Sequence, residues 1–281
     1  MKYRLNYNLV IIGGSEDKDG RKKILNEACE LINKDRDLLL VATVASEVQD
    51  EMKDIYNKVF KEIGVKNIEF LNIDDRKESY LEENIEKVTM SKLIFFTGGD
   101  QLRITSLIGG TPLNKALLKG LHNGKVIVGT SAGASVMSST MILEGDDEEA
   151  PKKHSINMSP GLGLLENIII DQHFIQRGRI GRLLTGVAEN PEYLGIGIDE
   201  DTAIIIDERK VLKVIGNGAV YIIDGSKINH TNISEQCRDK PLSIFNVKLH
   251  VLIEGNKFDL IKKIPFEEDV LRDEDNRDKN I

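Results

Sequence analysis

Tryptophan is absent from this sequence, aromatic residues make up only 5%, and there are just two cysteines, Cys29 and Cys237. With so few large rings, a core must be built mainly from Ile, Leu and Val. The two thiols form no Cys-x-x-Cys, and no histidine stands at metal-ligand spacing. This excludes a disulfide framework and a zinc site, and no metal or cofactor is expected. Reduced thiols suit a cytoplasmic protein. No hydrophobic run approaches a membrane span, and Leu9 to Ile12 is too short for a signal-peptide core. Basic residues are outnumbered 38 to 46 by acidic ones, a formal charge of −8, which argues against a broad nucleic-acid surface. A chain of 281 residues is long enough to bury one large core.

Short apolar runs alternate with helix-periodic stretches through the first half. Leu9 to Ile12, Leu38 to Ala45, Asn67 to Leu71, Lys92 to Thr97 and Lys125 to Val128 read as strands. Between them, Ile24 to Ile32, Glu47 to Ile63, Tyr80 to Met90 and Leu113 to His122 carry apolar residues at helical spacing. Gly64 stands where a helix C-cap should. This alternation predicts an α/β fold, a mainly parallel sheet with helices on both faces. Sites in such sheets form at the carboxyl ends of strands. Gly13-Gly14, Gly98 to Gln101 and Gly129 to Gly133 all lie at such ends. Further on, Ile168 to Ile170, Leu194 to Ile198 and Ala203 to Ile206 read as strands. Val211 to Ile215 and Ala219 to Ile223 form an expected hairpin across Gly216-Asn217-Gly218. Glu144 to Lys153 is a charged loop. Residues 1–265 are expected to form one domain, and 266–281 a charged, solvated tail.

The most informative stretch follows the Lys125 to Val128 strand. Gly129-Thr130-Ser131-Ala132-Gly133 fits the G-x-S-x-G elbow, in which a serine sits on a tight strand-to-helix turn. Glycines two residues either side of the serine have a physical reason: the turn crowds strand against helix, and a Cβ at either position would clash. The same pattern also serves a turn that only packs closely, or one that holds a phosphate. A serine nucleophile needs a base and a group to orient it. Among five histidines, His122 ends a helix, His154 follows two lysines in the charged loop, His230 lies in a polar turn and His250 in a strand. His173 follows an apolar strand, at the level where Ser131 sits, with Asp171 and Gln172 beside it. The acid comes from Asp199-Glu200-Asp201. In an extended backbone Glu200 points away from its two neighbours, and spacing does not choose among the three.

An oxyanion hole would use the N–H of Ala132 and a donor from the Gly98-Gly99-Asp100 loop. The chain order serine, histidine, acid differs from the serine, acid, histidine order of α/β-hydrolases and weighs against a lipase or esterase. A rival from another class is a catalytically silent protein whose Gly-rich loops hold an anion.

Taken together, Ile12-Gly13-Gly14-Ser15-Glu16-Asp17-Lys18, Thr97 to Gln101, Gly129 to Ala134, Asp171-Gln172-His173-Phe174 and Gly195 to Glu200 resemble the cyanophycinase family of peptidase E-like serine peptidases. The resemblance spans about residues 9 to 225. It implies a flavodoxin-like or class I amidotransferase-like fold with β-hairpins toward the C-terminus. The activity implied is that of a serine exopeptidase acting on cyanophycin, a poly-aspartate with arginine amide-linked to each β-carboxylate, with release of β-Asp-Arg dipeptides. By resemblance, Ser131 is the nucleophile, His173 the base and Glu200 its orienting acid. Gln101, Asp171, Gln172, Arg177, Arg179 and Arg182 match substrate-pocket positions, and a metal-free homodimer is implied. Arginines suit a substrate carboxylate through bidentate pairing. At least one of the three is expected to serve instead in a structural ion pair. The nearest rival is an α-aspartyl dipeptidase with the same elbow and a pocket for short Asp-X peptides.

Overall fold

A computed structural model describes residues 7–147, 149–237 and 240–267. The expected tail from residue 268 onward lies outside them.

The first half runs β1 (Tyr7–Ile12), α1 (Lys23–Cys29), β2 (Leu38–Ala42), α2 (Gln49–Ile63) and β3 (Asn67–Leu71), then α3 (Glu82–Met90) and β4 (Leu93–Phe96). It continues through α4 (Gln101–Ile108), α5 (Pro112–His122) and β5 (Val126–Thr130) to the single-turn α6 (Ala132–Ser135). The strands β3, β2, β4, β5 and β1 lie side by side and parallel. Alternate side chains face opposite layers. Val10, Ile12, Leu39, Val41 and Phe95 pack on α1 and α2 through Leu25, Tyr56 and Phe60. Leu9, Ile11, Leu40, Ile94 and Phe96 pack on α3 to α6 through Val88, Ile104, Leu117 and Ala132. Each such side chain contributes about 1.5–3 kcal/mol by leaving water. Helix α4 was not among the predicted elements. Its N-cap is Asp100, whose carboxylate accepts from the Leu102 N–H at 2.7 Å.

The second half departs from a single parallel sheet. A hairpin of β6 (Thr140–Gly145) and β7 (Ile156–Pro160) flanks the charged loop. Then come β8 (Ile168–Gln172), α7 (Ile180–Glu189), β9 (Leu194–Ile198), β10 (Thr202–Asp207), β11 (Val211–Gly216) and β12 (Val220–Asp224). Short strands β13 (His230–Thr231) and β14 (Ile244–Phe245) precede β15 (Lys248–Leu252), β16 (Lys257–Asp259) and β17 (Ile264–Phe266). Strands β10, β11, β16 and β17 extend the first sheet antiparallel beyond β1, making it 9-stranded among the described residues. Strands β8, β9, β12 and β15 form a separate 4-stranded sheet. Its inner face packs on the first sheet through Ile170, Ile196 and Ile222, and its outer face on α7 through Leu183 and Val187.

The expected hairpin of Val211–Ile215 with Ala219–Ile223 is not formed. β11 pairs with β10, whereas β12 pairs with β9 in the other sheet. Gly216, at φ 113, turns the chain from one sheet to the other. Helix α7 begins at Ile180, after a turn through Gly178 at φ 60.

Candidate active site

Ser131 follows β5, which lies between β1 and β4 in the first sheet, and the turn is as tight as the glycines require. A Cβ on Gly129 would lie 2.2 Å from the Gly133 carbonyl oxygen, and one on Gly133 would lie 2.5 Å from that of Phe96. Ser131 itself is held at φ 54, ψ −113. Such a backbone costs about 1–3 kcal/mol and persists only where the surroundings over-determine it. The gain is placement: the hydroxyl stands clear of its own strand.

His173 reaches Ser131 from the other sheet. It follows β8, at φ 48, and its Nε2 is 2.9 Å from Ser131 Oγ. Its Nδ1 lies 2.6 Å from Glu200 Oε1. Glu200 sits in the crossover from β9 to β10, which links the two sheets, so the three side chains meet where the sheets adjoin. Spacing left the acid open among three neighbours, and their partners separate them. Asp199 accepts from the Ile175 and Ala219 N–H groups, and Asp201 from the Asp17 N–H and Asn217 Nδ2. Both fasten loops. Of the three, Glu200 faces the imidazole.

Burial pushes the His173 imidazole below its ordinary value of 6.5, against the opposing pull of Glu200, and the charges of Arg177 and Arg179 add to the downward shift. The hydrogen bond from His173 is the main cause holding the Glu200 carboxyl below its usual range. At neutral pH the pair is therefore a neutral imidazole and a carboxylate, the states a general base and its orienter need. The other histidines lie elsewhere. His122, His154 and His230 are exposed, and His250 packs on Phe258.

Two amides near the elbow are unpaired among the described residues: neither the Gly99 nor the Ala132 N–H has an acceptor. The Asp100 N–H, also expected in an oxyanion hole, donates to the Ala45 carbonyl at 2.9 Å and is committed to holding the loop. Gly98 abuts Ser131: a Cβ there would lie 3.3 Å from that of Ser131.

The arginine segment divides into two kinds. Arg182 is buried and grips Asp171 with two bonds, Nε to Oδ2 at 2.7 Å and Nη2 to Oδ1 at 2.5 Å. Arg179, also buried, donates to the Gln172 carbonyl and to Gln172 Oε1, and pairs with Asp147 at 2.9 Å. Asp171 is 1% exposed, and two guanidiniums satisfy it. Arg177 is different. It is exposed, it has no carboxylate partner among the described residues, and its charge is felt by both His173 and Glu200. Gln101 Nε2 donates to the Leu143 carbonyl, tying α4 to β6.

The end of β1 and the loop after it hold Ser131, His173 and the neighbour of Glu200 through backbone bonds. Ile12 O accepts from the Ser131 N–H, Gly13 O from the His173 N–H at 2.8 Å, and Gly14 O from the Asp201 N–H at 2.9 Å. No group of three or more metal-ligating side chains occurs among the described residues, and no helix there is long and apolar enough to cross a membrane.

Peptidase family S51 matches residues 9–214. A cyanophycinase from Synechococcus elongatus is 37% identical over 253 residues, 90% of this chain and 79% of that protein. Another from Geminocystis herdmanii (strain PCC 6308) is 37% identical over 259 residues, 92% of this chain and 95% of that protein. Among solved structures, a peptidase from an acI-B1 Actinobacterium shares the fold. Its TM-score is 0.67 at 21% identity, with 90% of this chain and 97% of that one covered.

Proposed function

The chain belongs to peptidase family S51, and from that premise we propose that it is a serine-type exopeptidase. It hydrolyses the poly-aspartate backbone of cyanophycin to β-Asp-Arg dipeptides through an acyl-enzyme. The observation that carries this is the relay from Ser131 Oγ through His173 to Glu200, at 2.9 Å and 2.6 Å, in a chain similar to cyanophycinases.

Ser131 Oγ attacks a backbone amide carbonyl near a chain end, and its proton passes to His173 Nε2. Glu200 holds the tautomer that leaves Nε2 free and stabilises the imidazolium that forms. The Gly99 and Ala132 N–H groups receive the oxyanion. As the tetrahedral intermediate collapses, the C–N bond breaks and His173 returns the proton to the leaving amine. Water then attacks the ester, giving its proton to His173. Ser131 leaves as the alcohol, reprotonated by His173.

Each substrate unit carries a carboxylate and a guanidinium. Gln101, Asp171, Gln172, Arg177, Arg179 and Arg182 form the proposed pocket, and their present bonds assign them different parts. Arg177 is exposed and meets the substrate carboxylate directly. Arg179 and Arg182, locked on Asp171 and Asp147, shape the wall on which Gln172 and His173 sit. A homodimer and a cytoplasmic location complete the proposal, and sedimentation at equilibrium tests the first. The substrate is tested by comparing kcat/KM for cyanophycin with that for Asp-X dipeptides. Preference for the polymer supports the assignment. Hydrolysis of Asp-X alone identifies an α-aspartyl dipeptidase instead.

A further inference from the structure

Glu16 carries a carboxylate yet is only 3% exposed. Taking that charge out of water is costly unless partners replace the water, and here both oxygens are engaged. Oε1 accepts from the Tyr56 hydroxyl at 2.6 Å and pairs with Lys18 Nζ at 2.9 Å. Oε2 accepts from Thr130 Oγ1 at 2.5 Å. Tyr56 belongs to α2, and Thr130 is the residue immediately before Ser131. Burial first, then the charge of Glu16, hold the Tyr56 phenol well above its ordinary value, so it remains a donor throughout the working pH range.

The same loop braces His173 and Asp201, the residue after Glu200. Gly13 O receives the His173 N–H, and Gly14 O receives that of Asp201. Asp17 N–H donates to Asp201 Oδ1 at 3.0 Å. Contact with the imidazole is close enough that a Cβ on Gly14 would lie 2.3 Å from His173 Cε1. A patch that only glued elements together could be apolar, and replacing buried charge by packed apolar groups is often neutral for stability. Directional bonds to the residue before the nucleophile do something packing does not. They fix how the elbow sits relative to the loop that seats the histidine.

We propose that Glu16 is a positioning residue, clamping the residue 13–17 loop to Thr130 and so setting the approach of His173 Nε2 to Ser131 Oγ. This rests on Ser131 being the nucleophile. Glu16 touches no reacting atom; it acts through Thr130 and the loop.

The test is the rate constant for covalent labelling of Ser131 by a fluorophosphonate probe, read separately from the fraction of protein labelled. Unfolding lowers the labelled fraction. Mispositioning lowers the rate constant of the folded molecules. Glu16→Gln keeps the volume and removes the charge. It should slow labelling about 10–100-fold, as ångström-scale misplacement does, and reduce kcat with KM unchanged within about twofold. Thr130→Val should match it. Thr130→Ser, which keeps the hydroxyl, should label at the wild-type rate, and the Glu16→Gln/Thr130→Val double variant should be no slower than either single variant. Should Glu16→Gln not fold, the Thr130 pair carries the same comparison. A wild-type rate constant in Glu16→Gln or Thr130→Val, or additive losses in the double variant, overturns the proposal. Failure of the wild-type protein to label at Ser131 overturns the nucleophile assignment instead.

Discussion

Replacing Glu200 by glutamine isolates the group proposed to orient the base. The 2.6 Å contact to His173 Nδ1 is a charge-assisted hydrogen bond, and such bonds contribute about 1.5–3 kcal/mol. Glutamine leaves the geometry nearly unchanged but removes the charge that stabilises the imidazolium, and its amide can turn an N–H toward the ring and select the wrong tautomer. The bond alone corresponds to roughly a 10–150-fold loss at 1.36 kcal/mol per decade, and the tautomer effect extends the loss toward about 10⁴-fold. The Glu200 side chain is 36% exposed, so solvent screens part of the interaction and the lower half of that range is expected. The pH profile supplies a second, independent reading. Glu200 favours the protonated imidazole, so its removal moves the His173 pKa further down from a value already below 6.5. The acid limb of kcat/KM should therefore shift to lower pH while the plateau falls. The assay is initial-rate dipeptide release from pH 4.5 to 8.5. Asp199→Asn and Asp201→Asn serve as controls that should lower melting temperature and leave the acid limb in place. A wild-type plateau in Glu200→Gln, or an acid limb that moves up, refutes the assignment.

Three further expectations follow from the packing. Gly14→Ala places a methyl group against the imidazole at a backbone φ of +103 and should cut kcat/KM by about 100-fold, measurable in the same release assay. Arg182→Met strips Asp171 of its bidentate partner and leaves a buried charge, which should destabilise the fold by about 3–5 kcal/mol in urea unfolding. Arg177→Ala, by contrast, should leave stability within about 0.5 kcal/mol. In the same variant kcat/KM should fall roughly 10–150-fold, the range for one charged hydrogen bond to substrate.

What could be read in the sequence was whatever is local. The elbow glycines Gly129 and Gly133 announce a turn whose crowding the structure shows atom by atom. The parallel strands β1 to β5 were visible as buried apolar runs separated by helical periodicity. Helix α4 is equally legible, from the Asp100 cap and the spacing of Ile104, Leu107 and Ile108, but the preceding Gly98-Gly99 reads first as a loop. Long-range pairing was not legible. Gly216-Asn217-Gly218 has the local chemistry of a hairpin turn, and only the pairing of β11 with β10 and of β12 with β9 shows it to be a crossing between sheets. Glu200 could not be separated from Asp199 and Asp201 by alternation, because Asp201 turns to φ 46 and both aspartates are occupied by loop amides. Glu16 was hidden for a related reason. A carboxylate next to charged Asp17 and Lys18 looks like surface, and its burial depends on Tyr56 and Thr130 arriving from elsewhere in the chain.

The central claim is that Ser131 performs acyl transfer on cyanophycin. The most direct measurement is mass spectrometric identification of the products released from purified cyanophycin by the wild-type protein and by Ser131→Ala, with circular dichroism confirming that both are folded. The expected result is β-Asp-Arg dipeptide from the wild type and none above background from the variant. Dipeptide release by Ser131→Ala at the wild-type rate, or no dipeptide from the folded wild type, would contradict it.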